Sequence, residues 1–333
     1  MEKIEMQSAM MAAALSLAAG LACGQTAPAG DVIAVSNFSH IVTSLEPSVE
    51  FYRDVLGLEV SLPPRPFDPN PAIMKMGSTL GAQSRISVLK VPGFTMGVEL
   101  IEYKDIDRQP AHPRFQDPGA GNLVVRVRDL DAVVARLQKA NTHILTAGGK
   151  PAEVGRTRVM FVQDPDGFIV ELSQPLPAPA ATAETPGNVI GGGFEVTVED
   201  AAKTAAFYRE ALGFQPTAPA AFNGDKLMTD TAGTPGAQFR QSRAPIPGTP
   251  VTLTFIEFKD IDRKPLHTRV QDPGTAILQL TVRDVDALLP KLKAAGAAIV
   301  SVGGEAVNVG NNLRIAIARD PNNLFLELIQ RKP

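Results

Sequence analysis

Apolar residues recur along the chain with two spacings, one typical of strands and the other of helices. Three short apolar runs have strand character, and Pro92-Gly93 places a turn between the second and the third. The runs are residues 37–43, 86–91 and 97–103. After the first run, the pattern predicts a helix that begins near Pro47 and ends at Gly57. Its apolar face consists of Val49, Tyr52, Val55 and Leu56.

A second unit of the same kind follows the first. It opens with a strand over residues 122–127, and a helix follows with apolar residues at positions i, i+3, i+4 and i+7. These four residues are Leu130, Val133, Val134 and Leu137. Strands near residues 143–147, 158–163 and 168–174 complete the unit. Each unit is therefore predicted to have the order βαβββ.

The second half of the chain repeats the first. Phe51-Tyr52-Arg53 returns 156 residues later as Phe207-Tyr208-Arg209, and KDIDRQPAHPRFQDPG at residues 104–119 returns as KDIDRKPLHTRVQDPG at residues 259–274. A period this long is not that of a solenoid, so it indicates two homologous halves with four units in all. The halves are residues 36–174 and 190–331, and residues 175–189 form a Pro- and Ala-rich linker.

Composition narrows the class of protein. Lys and Arg total 32 and Asp and Glu total 35 among 333 residues, a formal net charge of −3 that argues against a nucleic-acid binder. An apolar content of 44% is too high for a disordered chain. One cysteine cannot form an internal disulfide. We expect a small-molecule ligand or substrate, and a monomer or homodimer.

The first thirty residues are predicted to be a signal peptide and a tether. Residues 9–22 are small and apolar, too short to span a bilayer, and of signal-peptide type. Cys23 follows directly, at a position that resembles the acylated cysteine of a bacterial lipoprotein. With a signal peptide over residues 1–22 we expect an exported protein, periplasmic or lipid-anchored. If the signal is not functional, the protein is cytoplasmic.

Three segments together resemble the vicinal oxygen chelate superfamily, which includes glyoxalase I, bleomycin-resistance proteins, extradiol dioxygenases and methylmalonyl-CoA epimerase. They are SHIVTSLEPSVEFYRDVLGLEV (39–60), VELIEY (98–103) and QDPDGFIVELSQP (163–175). The resemblance implies an α+β fold in which four βαβββ modules pair into two half-open mixed β-barrels. We expect each half of the chain to form one barrel.

The resemblance also implies four metal-ligand positions in each barrel. In the first half they fall on His40, Glu99, Asn122 and Glu171, of which Asn122 is the weakest ligand. An imidazole with two carboxylates suits Zn, Ni, Fe or Mn. In the second half the four positions are Val196, Thr254, Ile277 and Glu327. We therefore expect a divalent metal only in the first half.

Two functions remain open at this stage. The first is a metal-dependent lyase or isomerase that moves a proton next to a carbonyl, with Glu171 or Glu99 as the general base and the metal holding two vicinal substrate oxygens. The second is a non-catalytic protein that sequesters a small molecule, as the bleomycin-resistance proteins do. An extradiol dioxygenase is less favoured, because Asn122 leaves the two-His-one-carboxylate triad incomplete.

Overall fold

A computed structural model describes residues 30–331, which form two mixed β-sheets with helices packed against them. The predicted signal peptide and Cys23 lie outside the described residues. Within residues 30–331 we find no helix with the length and apolar character that a membrane crossing requires.

The four modules are consecutive along the chain. The first contains β1 (Val32–Val42), α1 (Leu45–Glu50, continued by a π-helical turn over Phe51–Val55), β2 (Glu59–Leu62), α2 (Pro71–Met76), β3 (Gln83–Lys90) and β4 (Gly97–Lys104). The second contains β5 (Gly121–Val127), α3 (Leu130–Lys139), β6 (Ala152–Val154), β7 (Thr157–Gln163) and β8 (Ile169–Pro175). The third contains β9 (Val189–Thr197), α4 (Ala201–Leu212), α5 (Lys226–Thr231), β10 (Gln238–Pro245) and β11 (Thr252–Lys259). The fourth contains β12 (Ala276–Val282), α6 (Val285–Ala294), β13 (Ala298–Ile299), β14 (Val307–Val309), β15 (Leu313–Arg319) and β16 (Phe325–Arg331).

The modules pair across the two halves of the chain and not within them. One sheet has the order β13-β15-β16-β12-β1-β4-β3-β2, with β14 on β15, and so joins the first and fourth modules. The other has the order β10-β11-β9-β5-β8-β7-β6 and joins the second and third. We call these the outer barrel and the inner barrel. The α+β fold with four modules in two half-open barrels is confirmed, but the expectation that each half closes its own barrel is wrong.

Antiparallel contacts between the opening strands of the modules make each pair. In the outer barrel β1 lies against β12, with Ser39 opposite Ile277. In the inner barrel β5 lies against β9, with Asn122 opposite Glu195. Because side chains alternate between the two faces of a strand, these registers decide which residues enter each barrel.

Within each half, the chain passes from one barrel to the other through a connector. The two connectors are residues 105–120 and 260–275. They bind each other reciprocally: Arg114 pairs with Asp262 and Arg269 with Asp107, each at 3.0 Å. Backbone bonds reinforce the contact, from Ala111 N to Pro273 O and from Leu266 N to Pro118 O, both 2.8 Å. The charged residues of these connectors predict a clamp, and Asp107 and Asp262 do take part in it, but their partners are Arg269 and Arg114 and not Arg108 and Arg263. Each connector thus carries the chain from one sheet to the other.

The convex faces of both sheets and the helices enclose one large apolar core. Glu102 lies on this convex side and accepts a hydrogen bond from Leu45 N at 2.8 Å, at the start of α1. Glu257 does the same for Ala201 N at 2.7 Å, at the start of α4. A carboxylate is favourable at a helix N-terminus. Glu102 therefore lies on the face of β4 opposite to Glu99.

One predicted strand, over residues 143–147, is not a continuous strand in the structure. Ile144 forms only an isolated bridge to Val162. The chain then turns in a 3₁₀ helix over Ala147–Gly149, where Gly148 has a φ of 76°. A positive φ suits glycine and ends extended pairing at this point.

The module pairing can be tested by cross-linking. Ser36 Oγ and Thr281 Oγ1 lie 3.2 Å apart between β1 and β12. In a chain that also carries Cys23→Ser, we expect Ser36→Cys with Thr281→Cys to form a disulfide detected by mass spectrometry. The control is Ser36→Cys with Arg126→Cys, the pair that pairing within one half would bring together. A cross-link in the control and none in the test pair would contradict the topology.

Candidate functional site

The outer barrel holds a chain of four polar side chains on its concave face. Glu99 Oε1 accepts hydrogen bonds from Ser39 Oγ at 3.2 Å and from Gln279 Nε2 at 2.9 Å. Gln279 Nε2 also lies 3.3 Å from Glu327 Oε2. One amide group therefore bridges a carboxyl group of the first module and a carboxyl group of the fourth.

Apolar side chains fill the rest of the outer barrel. Desolvation raises the pKa of Glu327 to about 8, with a further contribution from the charge of Glu99. Burial likewise raises the pKa of Glu99. The neighbours on this face are mainly aliphatic: Ile41, Met74, Met76, Ile101, Ile277, Ile315, Ile317 and Ile329, with Tyr103 and Phe325. The acid pair of this barrel is thus bridged by Gln279 within a largely apolar lining, with Glu327 buried and Glu99 half-buried.

The inner barrel also brings together two carboxyl groups from different modules. Glu171 lies on β8 beside Val124, and Glu195 lies on β9 opposite Asn122. Their exposed fractions are 7% and 9%. Asn122 Nδ2 donates a hydrogen bond to Glu195 Oε2 at 2.8 Å. Among the described residues, Asn122 Oδ1 is buried and has no hydrogen-bond partner.

Burial sets the protonation of this pair. Desolvation raises the pKa of Glu195 to about 7, against the opposing effects of Asn122 and two arginines. Desolvation and then the charge of Glu195 raise the pKa of Glu171 well above its usual range. Burial therefore favours the protonated form of both carboxyl groups, and Glu195 is close to half ionised near neutral pH.

A small aromatic cavity borders the two acids. Its volume is about 30 Å³, room for a group of roughly one or two heavy atoms. Phenylalanines form much of its wall, with ring centroids 5.1 Å apart for Phe115 and Phe161 and 5.3 Å apart for Phe115 and Phe258. Met228 of α5 also lines the cavity. The two acids of the inner barrel thus border open space.

His40 lies on the opposite face of its strand from Ser39 and Glu99. Ser39 is the residue beside Glu99, so the next residue along β1 points into the apolar core. There the imidazole is 0% exposed, its centroid 4.4 Å from that of Phe168. Its Nε2 forms an ion pair with Asp164 Oδ2 at 2.9 Å. Burial lowers the pKa of His40, but the charge of Asp164 and its hydrogen bond to the ring together raise it by more. The pKa of His40 is therefore raised overall.

The four predicted metal ligands therefore do not converge. Glu99 is in the outer barrel, Asn122 and Glu171 are in the inner barrel, and His40 faces the core. Within residues 30–331, we find no cluster of three or more His, Cys, Asp or Glu side chains suited to a metal ion. In each barrel an amide N–H group points at a carboxylate, where a cation would require an oxygen. The residues present do not fit the predicted metal centre.

Two residues of these sites, Glu195 and Gln279, were missed by the sequence analysis. Glu195 is an isolated acid in the predominantly apolar run of β9, and it stands 156 residues after Ser39. His40 and Val196 do correspond in the repeat, but both lie one residue away from the strand positions that share a face with Glu99 and Glu171. Asking which face of the strand carries Glu99 would have selected Ser39 and Glu195 instead.

Comparison with known proteins agrees with this architecture. The model of the Glyoxalase/Bleomycin resistance protein/Dioxygenase superfamily matches residues 35–172 and again residues 192–328. The chain belongs to this superfamily. Both matches coincide with the halves that the sequence repeat defines.

Solved structures and one curated protein are similar to parts or most of the chain. Glyoxalase I from Zea mays has 18% sequence identity and a TM-score of 0.59, covering 90% of this chain and 93% of that one. A mutant of the same maize enzyme has 17% identity and a TM-score of 0.60, covering 91% and 93%. These likenesses show the fold. A 2-epi-5-epi-valiolone epimerase from Actinomyces sp is 29% identical over 107 residues, which span 32% of this chain and 58% of that protein.

The buried ion pair of His40 and Asp164 predicts a pH-dependent stability. His40 has a raised pKa in the folded chain, so its stabilisation is full below the pKa of the unfolded state and is lost as the pH rises through the folded value. We expect His40→Val to lower the free energy of unfolding by about 3 kcal/mol near pH 6 and by less at pH 9. Urea unfolding at both pH values measures this.

The second half offers a natural comparison for that variant. There Val196 occupies the corresponding place, Tyr208 donates to Asp320 at 3.1 Å, and burial raises the pKa of Asp320 to about 6. Val196→Ala is the control, and its destabilisation should not change between pH 6 and pH 9. An equal loss at both pH values for His40→Val would refute a charged His40.

Proposed function

We propose that the chain is an isomerase- or lyase-type enzyme that moves a proton on a carbon next to a carbonyl group, in the inner barrel. The observation that carries the proposal is the acid pair Glu171 and Glu195, which is buried, contributed by two modules and bordered by a cavity. Acid–base catalysis at neutral pH needs groups whose pKa values lie near or above 7, and burial supplies them here. The similarity to an epimerase supports the same class of reaction.

Glu195 is the proposed base, because its pKa of about 7 leaves much of it ionised at neutral pH. It takes the proton from the substrate carbon and later returns one to the product. Glu171, whose pKa burial raises well above its usual range, donates a proton toward the carbonyl oxygen, so that an enediol forms without a free negative charge, and it takes a proton back when the carbonyl re-forms.

Asn122 has two tasks in this scheme. Its Nδ2 group holds Glu195 in place, and its buried Oδ1 accepts a hydrogen bond from a substrate hydroxyl group. The phenylalanines of the cavity exclude water, which strengthens each of these polar contacts. The proposed substrate is therefore a small molecule with neighbouring oxygen-bearing carbons. No step of this scheme requires a metal ion.

Export remains part of the proposal. The apolar segment before Cys23 supports an exported enzyme, and an exported enzyme would not meet the mainly cytosolic thiol glutathione. We therefore do not assign the glyoxalase reaction to this chain.

Substitution of the acids tests the site. We expect Glu195→Gln to slow exchange of substrate carbon-bound hydrogen with D₂O by about 10²- to 10⁴-fold, and Glu171→Gln by about tenfold or more, since an amide still donates a hydrogen bond. Proton NMR of hydroxyacetone, lactate and dihydroxyacetone phosphate follows the exchange. The rate should rise with pH through about 7 as Glu195 loses its proton.

The outer barrel provides the matched control. Glu327 stands 156 residues after Glu171 and is equally buried, at 7% exposed. Glu327→Gln should retain the exchange activity. If Glu327→Gln abolishes exchange while Glu171→Gln and Glu195→Gln retain it, the active site lies in the outer barrel. Ligand binding with no exchange in any form of the protein would favour the sequestering function.

A further inference from the structure

Two arginines lie on the concave face of the inner barrel beside the acid pair. Arg126 is two residues beyond Val124 on β5, and Val124 is the neighbour of Glu171. Arg243 on β10 lies opposite Thr254, which in turn lies beside Glu195. Since alternate residues of a strand share a face, both arginines project on the same side of the sheet as the two acids.

Neither guanidinium group is bonded to an acidic side chain in the part of the chain that the structure describes. Across residues 30–331, the side chains of Arg126 and Arg243 form no ion pair and no hydrogen bond. Other arginines of the same sheet behave differently: Arg158 pairs with Asp131 at 2.7 Å and Arg240 with Glu257 at 2.7 Å. Arg126 is exposed and Arg243 is half-buried, so solvent reaches both.

The sheet surface near these arginines is bare backbone. Gly191 lies opposite Arg126 and Gly193 lies opposite Val124, on the same face of β9 as Glu195. A Cβ atom added at Gly191 would meet nothing within 4 Å, and one at Gly193 would lie 3.6 Å from Val124 Cβ. The two glycines therefore leave space beside the acids at the end of the barrel away from the aromatic cavity.

The outer barrel shows that the fold does not require these charges. The positions 155 residues from Arg126 and Arg243 in the repeat are Thr281 and Val88, both uncharged. The position that corresponds to Gly193 is Asn37, which carries a side chain. Between the two barrels, Arg126, Arg243 and Gly193 are thus found only in the inner barrel, whose acids border a cavity.

The charges of the two arginines affect the pKa values of the acids. Both guanidinium groups act to lower the pKa of Glu195, and Arg126 acts in the same direction on Glu171. Positive charge therefore reaches the reacting groups. A planar guanidinium group binds a carboxylate or a phosphate through two parallel hydrogen bonds.

We propose that the arginine end of the inner barrel is a subsite for an anionic group of the substrate, a carboxylate or a phosphate. Gly193 is two residues from Glu195, about 7 Å along the strand. The anionic group and the reacting carbon are therefore separated by a few bonds. The substrate class is a small hydroxy or keto acid, or a phosphorylated hydroxy ketone, with a small apolar substituent toward the phenylalanines. This inference rests on the proposed function for the position of the reacting carbon.

Calorimetric titration of the whole protein at pH 7 tests the subsite directly. The probes are inorganic phosphate and lactate, which separate the two kinds of anion. We expect Arg126→Gln and Arg243→Gln each to weaken binding of the preferred probe about tenfold or more, the loss of one charge-assisted contact. The control Arg158→Gln removes an arginine of the same sheet that is already paired, and it should leave binding unchanged.

The outcomes separate this inference from the proposed function. Glu195→Gln should bind the preferred anion at least as tightly as the unmodified protein, because a neighbouring negative charge is removed, although its exchange activity is lost. If neither probe binds at millimolar concentration, or if Arg158→Gln weakens binding as much as the two test variants, the subsite is wrong. That result would leave the exchange assay with Glu171→Gln and Glu195→Gln to decide the proposed function independently.

Discussion

The antiparallel contact between opening strands of modules from different halves is the constraint on which the rest of the structure depends. It places β1 against β12 and β5 against β9, and so it decides which carboxyl groups share a barrel. Glu171 meets Glu195 and not Glu99, because β8 and β9 both lie beside β5 in the same sheet, whereas β4 belongs to the other sheet. A different pairing of the same four modules would have produced different acid pairs from an unchanged sequence.

The two barrels treat the same physical difficulty in different ways. A buried carboxylate is costly unless it is neutral, hydrogen-bonded or paired with a charge. In the outer barrel, Gln279 bridges the two acids, and the cluster around them is mainly aliphatic. In the inner barrel, the pair keeps one side open toward the phenylalanines and the glycines of β9. We infer that the outer barrel maintains the structure while the inner barrel carries the chemistry.

The repeat and its apolar spacing were sufficient to predict the module order, the linker and the α+β fold. Module pairing was not predictable in this way, because homologous modules offer equivalent strand edges, and the contacts that distinguish them, between the connectors and across the β1–β12 and β5–β9 seams, join residues far apart in the sequence. The prediction of the site residues was wrong for a simpler reason. A shift of one residue moves a strand side chain to the other face. The resemblance placed the first ligand on His40, whereas Ser39 is the residue beside Glu99. For the same reason the prediction chose Val196 in the second half and missed the preceding residue, Glu195.

A carbon-13 NMR titration of glutamate carboxyl groups tests the central claim, that Glu171 and Glu195 form one buried, interacting pair. The account predicts a resonance with a midpoint near pH 7 that is absent from Glu195→Gln, and a midpoint for Glu171 that falls in that variant because the neighbouring charge is gone. Ordinary midpoints near pH 4 for both residues, or a Glu171 midpoint that does not move in Glu195→Gln, would contradict it.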